Sequence, residues 1–293
     1  MDWSDLLGHR APQPTHRIAF GHAPNEFAEL WMPAGAGPHP VVVMIHGGCW
    51  QKRIASLSIM NYIAEDLRLH GIAVWNIEYR GVDEPGGGYP GTFLDVANAA
   101  DALRGIAQDH HLRMDRVVAV GHSAGGHLAT WLAARARLPK FSVLYRKHPL
   151  PIAAVLSQGG LPDLEANRAT TAAGCGPEVI DALVGQPVAR RRDVFADTSP
   201  PRLLPLGVTQ VLVNGAQDGI APPWLARDYR DKVAQRGDNV QLVVVPNTGH
   251  VELIAPNSDA WARQLVLIQQ LLGVRVAVAR RAPHPRTSPV PKG

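Results

Sequence analysis

The chain has 293 residues, 46% of them apolar and 18% charged, with a formal net charge of +4. That is enough apolar material for one large core, and no run of about 18 apolar residues marks a membrane-spanning helix. The positive balance does not mark a nucleic-acid face. No Asp or Glu follows Asp259, while Arg275, Arg280, Arg281, Arg286 and Lys292 crowd the C-terminal end, so the remainder is close to neutral.

The start, residues 1–10, carries Asp2 and Asp5 and has neither the basic opening nor the apolar run of a secretory leader. Two cysteines, Cys49 and Cys175, do not make a disulfide framework, and no C-x-x-C metal spacing occurs. Both are expected to be unpaired, in a reducing, cytoplasmic setting.

In chain order, residues 17–20 and 27–31 read as an antiparallel hairpin at a sheet edge. Residues 41–45, Val-Val-Val-Met-Ile, form a continuous apolar run, as in a strand buried on both faces. A helix is expected over 56–70, a strand over 72–79, a helix over 92–108, a strand over 116–120 and a helix over 124–137. A strand over 152–156 precedes a long stretch, 159–205, rich in Pro, Gly, Arg and Ala. That stretch exceeds what one crossover needs and reads as an excursion above the sheet that shapes a pocket, with a short helix over 178–184. A strand over 209–213, a helix over 223–236, a strand over 240–245 and a helix over 258–272 complete the pattern. This alternation predicts an α/β fold in one domain, residues 1–273, with a mostly parallel central sheet and helices on both faces. Residues 274–293, rich in Pro and Arg, read as a mobile basic tail.

Gly121-His122-Ser123-Ala124-Gly125 is a G-x-S-x-G sequence standing between a predicted strand and a predicted helix. A serine on such a turn is lifted out of the sheet, and the helix N-terminus points free N–H groups toward an oxyanion. Ser123 is therefore the candidate nucleophile. His46-Gly47-Gly48-Cys49-Trp50 follows the first buried strand, where glycines let backbone amides approach the nucleophile. The amides of Gly48 and Ala124, with Cys49 as a third, are the expected oxyanion donors. His46 reads as a hydrogen-bonding partner within the loop and the Cys49 side chain as a packed group.

The acid is expected after a later strand, and Asp218 follows 211–213 and a Gly turn, just before Pro222-Pro223. Asp163 and Asp193 stand outside that position. The base is expected after the last strand, where Gly249-His250 follows 243–245. The chain order Ser123, Asp218, His250 is that of a hydrolase triad. A serine hydroxyl needs a neutral imidazole to take its proton, and the imidazolium needs a buried carboxylate on its other nitrogen. No metal and no cofactor is required.

Together these motifs resemble the α/β-hydrolase superfamily from about residue 27 to 272. His46-Gly47-Gly48-Cys49-Trp50 resembles the H-G-G-x-W motif of kynurenine formamidases (arylformamidases). Gly121 to Leu128 and Asn76-Ile77-Glu78-Tyr79-Arg80 suit both those enzymes and related feruloyl and acetylxylan esterase-like hydrolases. The resemblance implies hydrolysis of a small carboxylic ester or aryl formamide. Trp50 and Tyr89 are expected to line the substrate pocket and to stack an aromatic leaving group, while the Cys49 and Trp50 side chains after Gly47-Gly48 are expected to narrow the acyl side of Ser123. A generalist carboxylesterase without formamidase activity is the nearest alternative, separable by assay on N-formylkynurenine. A binding protein on a disabled hydrolase fold is the alternative of another class, and such proteins usually lose a triad member. The expected partner is a small molecule, with neither nucleic acid nor membrane, and a homodimer is left open.

Overall fold

The computed structural model describes residues 1–274. The expected mobile tail lies outside the described residues, apart from Val274. The chain opens with a short helix, α1 (Trp3–Leu7), followed by β1 (His16–Ala19) and β2 (Phe27–Trp31), then β3 (His39–Ile45). A 3₁₀ turn, Leu57–Met60, leads into α2 (Asn61–Leu69), followed by β4 (Ala73–Ile77), α3 (Gly91–Ile106), β5 (Leu112–His122) and α4 (Ala124–Ala134). After β6 (Ala154–Gln158) come α5 (Arg168–Cys175) and α6 (Val179–Val184). The chain then runs through β7 (Thr209–Gly215), α7 (Pro223–Gln235), β8 (Val240–Val245) and α8 (Asp259–Leu272).

These strands form one 8-stranded sheet in the order β1-β2-β4-β3-β5-β6-β7-β8. β1 pairs antiparallel with β2 and β2 with β4, while every pairing from β4 through β8 is parallel. This is the α/β-hydrolase fold. Side chains of a strand alternate between faces, and β3 shows the consequence. Val41, Val43 and Ile45 pack with Phe93, Val96, Leu128 and Trp131 of α3 and α4. Val42 and Met44 pack with Ile63 and Leu67 of α2 and Trp261 and Ile268 of α8. Two helical layers cover the sheet, so a continuous apolar run is what β3 requires.

Two helices have no counterpart in the sequence reading. α1 begins at Asp2, whose carboxylate accepts the Asp5 amide at 2.9 Å while the Asp5 carboxylate accepts the Asp2 amide at 2.8 Å. Leu6 is buried and anchors the helix beside Trp31 and Tyr62. α5 lies within the 159–205 stretch. The helix expected over 56–70 starts instead as a 3₁₀ turn because Leu57 is tied to β4 and the loop after it. Its amide donates to Glu78 at 3.3 Å and its carbonyl accepts from Asn76 at 3.0 Å.

The cysteines require a correction. Cys49 and Cys175 are joined in a disulfide with their Cα atoms 5.4 Å apart. They are 126 residues apart in sequence, and only the fold brings the turn after β3 against the end of α5. The bond also removes the argument for a reducing compartment, since disulfides persist in oxidising ones.

Candidate active site

Ser123 stands where β5 ends and α4 begins. Its φ of 55° and ψ of −120° place it in a backbone region that a non-glycine residue adopts only under constraint. The constraint is packing. A Cβ at Gly121 would meet the Gly125 carbonyl oxygen at 2.0 Å, and one at Gly125 would meet the Ile45 carbonyl oxygen at 2.1 Å. Only glycine on both sides of the turn lets α4 start this close to β3 and β5. The Ser123 amide donates to Gln158 O at 2.8 Å and its carbonyl accepts the Gly126 amide at 2.8 Å, so the serine backbone is held from both sides.

Asp218 and His250 come from the loops after β7 and β8. His250 Nδ1 donates to Asp218 Oδ2 at 2.7 Å. Asp218 Oδ1 accepts the amides of Ile220 at 2.9 Å and Ala221 at 2.8 Å. Burial alone would raise the Asp218 carboxyl. The hydrogen bond and charge of His250, together with the two amides, outweigh that and hold its pKa below the ordinary value. With Nδ1 committed to the carboxylate, Nε2 is the nitrogen left to face Ser123. Ser123 and His250 both line a cavity of about 320 Å³.

The turn after β3 brings Gly48 and Cys49 to the same cavity. Gly48 has φ +103° and Cys49 and Trp50 both have φ +54°. A Cβ at Gly47 would lie 3.0 Å from Ser123 Cβ, so the turn presses on the serine. Ala124 is the first residue of α4, where an amide has no partner within the helix. Of the three residues expected to supply oxyanion amides, Gly48 and Cys49 line the cavity with Ser123, and Ala124 follows the serine directly.

Beneath the turn sits a buried polar group. His46 Nδ1 donates to Gly47 O at 2.7 Å, and His46 Nε2 bonds Glu78 Oε1 at 2.8 Å. The His46 ring stacks on Tyr79 at 4.2 Å, and Tyr79 donates to His46 O at 3.0 Å. Burial works against ionisation of Glu78, but His46 and Lys52 outweigh it and pull its pKa down to about 2. His46 thus braces the loop and does not face the cavity.

Trp50 and Tyr89, expected to line a substrate pocket, do not line this cavity. Trp50 is fully buried, and its indole donates to His127 Nδ1 at 3.2 Å. Tyr89 lies under the Arg191 guanidinium, 3.5 Å from its ring centroid, and donates to Asp197 at 3.0 Å. Both rings are used in packing away from the cavity that Ser123 and His250 line. Asp163 caps a turn by accepting the Ala166 amide at 3.0 Å, and Asp193 does the same for Phe195 at 2.9 Å.

Several residues at the cavity went unread in the sequence. Trp3 and Leu7 of α1, Ile54, Ile59 and Ile220 supply apolar wall, and Gly174 of α5 reaches it from the 159–205 stretch. His122 is buried beside His250, their ring centroids 4.4 Å apart, and its Nε2 donates to the His250 carbonyl at 3.1 Å. Burial first, then the neighbouring His250 charge, lower its pKa to about 3, so the ring is neutral. Gly159, at the end of β6 with φ +52°, passes directly beneath the acid–base pair. A Cβ there would lie 3.0 Å from both Asp218 Oδ2 and His250 Nδ1. The Gly159-Gly160 pair after a strand was the available signal for it. For α1 the signal was Asp2 three residues before Asp5, a capping pattern. Among the described residues no group of three or more His, Cys, Asp or Glu side chains is placed to hold a metal ion, and no helix is long and apolar enough to cross a membrane.

A sequence profile of the BD-FAE family matches residues 29–232, which include the β3 turn, Ser123 and Asp218. The chain belongs to the BD-FAE family. It is 26% identical over 253 residues to Esterase LipC of Mycobacterium tuberculosis, covering 83% of this chain and 61% of that protein. It is 24% identical to the probable carboxylic ester hydrolase LipM of the same organism, covering 85% of this chain and 57% of that one. This member of the BD-FAE family thus spans about three fifths of the length of those two relatives. Among solved structures, esterase B from Lactobacillus rhamnosis superposes with a TM-score of 0.77 at 17% identity, covering 92% of this chain and 89% of that one. A truncated carbohydrate esterase from gut microbiota gives 0.73 at 16% identity, covering 90% and 97%. These likenesses concern the fold.

Proposed function

We propose that this chain is a serine hydrolase that cleaves carboxylic esters of uncharged, apolar acids or alcohols through an acyl-enzyme on Ser123. The observation that carries the reading is convergence. His250, bonded to Asp218, lines one cavity together with the strained Ser123, Gly48 and Cys49. The esterase relatives support the same chemistry.

In this reading His250 Nε2 takes the Ser123 proton as Oγ attacks the ester carbonyl carbon. The amides of Gly48, Cys49 and Ala124 bind the oxygen as it becomes negative, where donors already in place cost no reorganisation. The imidazolium, steadied by Asp218, returns the proton to the alcohol oxygen as the C–O bond breaks. Water then enters, gives its proton to His250 and attacks the acyl carbon, and Ser123 is regenerated.

The lining bears on the substrate. Among the described residues no Lys, Arg, Asp or Glu forms part of the cavity wall. N-formylkynurenine carries an ionised amino-acid group, which would enter such a wall without a partner. The lining therefore favours a neutral ester over that formamide. The expected aromatic stacking on Trp50 or Tyr89 is replaced by contact with Trp3.

The test pairs Ser123→Ala with a fluorophosphonate probe. Wild type should hydrolyse p-nitrophenyl acetate and be labelled at Ser123. The variant should be unlabelled and lose several orders of magnitude in kcat, up to ~10⁶. Retention of more than a tenth of the activity by the variant would refute the assignment. Turnover of N-formylkynurenine as fast as that of a neutral ester would refute the substrate reading while leaving the mechanism in place.

A further inference from the structure

The disulfide is not used by the mechanism above, yet one of its residues is part of the oxyanion turn. Cys49 holds φ +54°, a left-handed conformation that residues with a side chain seldom adopt. From Trp50 onward the loop is well tied to the body. Trp50 O accepts the Val82 amide at 2.7 Å, and the Lys52 and Arg53 amides donate to the Asp83 carboxylate at 2.7 and 3.1 Å. Cys49 stands inside a turn closed by the Gln51 amide donating to Gly48 O at 2.8 Å, and its side chain adds a covalent tie. Its sulfur is bonded to Cys175, the last residue of α5, whose neighbour Gly174 lines the same cavity. A parallel link joins the same two segments, since Gln51 Nε2 donates to Cys175 O at 2.9 Å. The 159–205 stretch is thus clamped onto the turn at a residue that lines the cavity with Ser123.

We propose that Cys49 and Cys175 are positioning residues, their disulfide holding the Cys49 amide in its donor arrangement, so that reduction of the bond by a dithiol slows turnover. This rests on the reading of Ser123 as nucleophile and of the β3 turn as the oxyanion site. The reductive step balances simply. A dithiol supplies two electrons and two protons, the S–S bond breaks to give two thiols, and the reductant closes to a cyclic disulfide. With the tether gone, Cys49 can leave the left-handed region and its amide can turn from the carbonyl oxygen. Complete loss of one oxyanion donor costs 10²–10³ in kcat, so a loosened donor should cost about tenfold or more.

The experiment measures kcat and KM on p-nitrophenyl acetate for the oxidised enzyme and for enzyme reduced with dithiothreitol. Thiol titration must show two free thiols, and near-UV circular dichroism must show that the fold is intact. The expected result is a kcat at least tenfold lower with KM changed less than threefold. A bond that merely shapes the pocket wall would move KM and leave kcat on this short acyl group. A fully reduced, folded enzyme with kcat within twofold of the oxidised one would overturn the proposal. Cys49→Ala and Cys49→Gly form a second arm that holds even where reduction unfolds the protein. Both lack the crosslink, but glycine adopts φ +54° freely, so Cys49→Gly should exceed Cys49→Ala in kcat at least threefold. Equal values would also overturn the proposal. Absence of ester hydrolysis by the oxidised wild type would strike the proposed function, whereas activity insensitive to these changes would strike only the clamp.

Discussion

Gly159→Ala should disable the acid–base pair while leaving the fold standing. A Cβ at this position would lie 3.0 Å from Asp218 Oδ2, 3.0 Å from His250 Nδ1 and 2.8 Å from Leu253 Cδ1. Ordinary contacts to carbon are about 3.5–4.0 Å, so the partners of a 2.7 Å hydrogen bond must give way by a few tenths of an ångström. Leu253 closes the third side. Stretched or turned by that much, the bond leaves the range of a charge-assisted interaction, and the imidazole loses the partner that fixes its tautomer. Loss of the correct tautomer in a triad costs about 10⁴ in kcat, so a displaced pair should cost about 10²–10³. Gly159 does not line the cavity, and KM should change little. The φ of +52° adds strain of about 1–2 kcal/mol, equivalent to a fall in Tm of roughly 3–6 °C. The assay is steady-state hydrolysis of p-nitrophenyl acetate beside a thermal melt. Gly219→Ala serves as control, because a Cβ there meets nothing within 4 Å although it adjoins Asp218. A Gly159→Ala enzyme with kcat within twofold of wild type would refute the argument.

Three other outcomes are expected. Stability should fall on acidification below about pH 6.5. His122 and His127, lowered by burial to about 3 and about 4, stay neutral in the fold while the unfolded chain binds protons below about 6.5. Below about 4.5 Glu78, held near 2, adds to the loss because the unfolded chain is then protonated and the fold is not. A Tm that stays flat from pH 7 to 4.5 would contradict this. His122→Leu, which removes the donor to the His250 carbonyl, should lower kcat about fivefold, as for the loss of one hydrogen bond of about 1 kcal/mol that positions the base. His122→Gln should recover part of it, and equal rates for the two would refute the tether. Trp3→Ala should reduce kcat/KM for phenyl or naphthyl acetate about 3–10-fold more than for methyl acetate, from the loss of roughly 1 kcal/mol of ring contact. Equal losses on both substrates would remove Trp3 from the substrate site.

Local pattern accounts for the main elements because each constraint behind it is local. A strand buried on both faces must be apolar throughout, and β3 is. A turn that lets α4 start against β3 requires glycine at 121 and 125, where a Cβ would strike carbonyl oxygens. Asp218 and His250 follow the last two strands because the sheet delivers their loops to one edge, and there they form a 2.7 Å bond.

What chain order could not supply is contact between segments distant in sequence. Trp50 and Tyr89 look like ligand platforms until the fold buries one against His127 and stacks the other under Arg191. Cys49 and Cys175 look unpaired until the turn after β3 and the end of α5 meet across 126 residues. Trp3 reaches the cavity only because Leu6, one turn on, is buried in the core. The sequence by itself thus determined the sheet, its helical layers and the order of Ser123, Asp218 and His250, since periodicity and turn chemistry act over a few residues. The pocket wall, the crosslink and the glycine beneath the acid–base pair were decided by tertiary packing, because each depends on which surfaces the closed fold presses together.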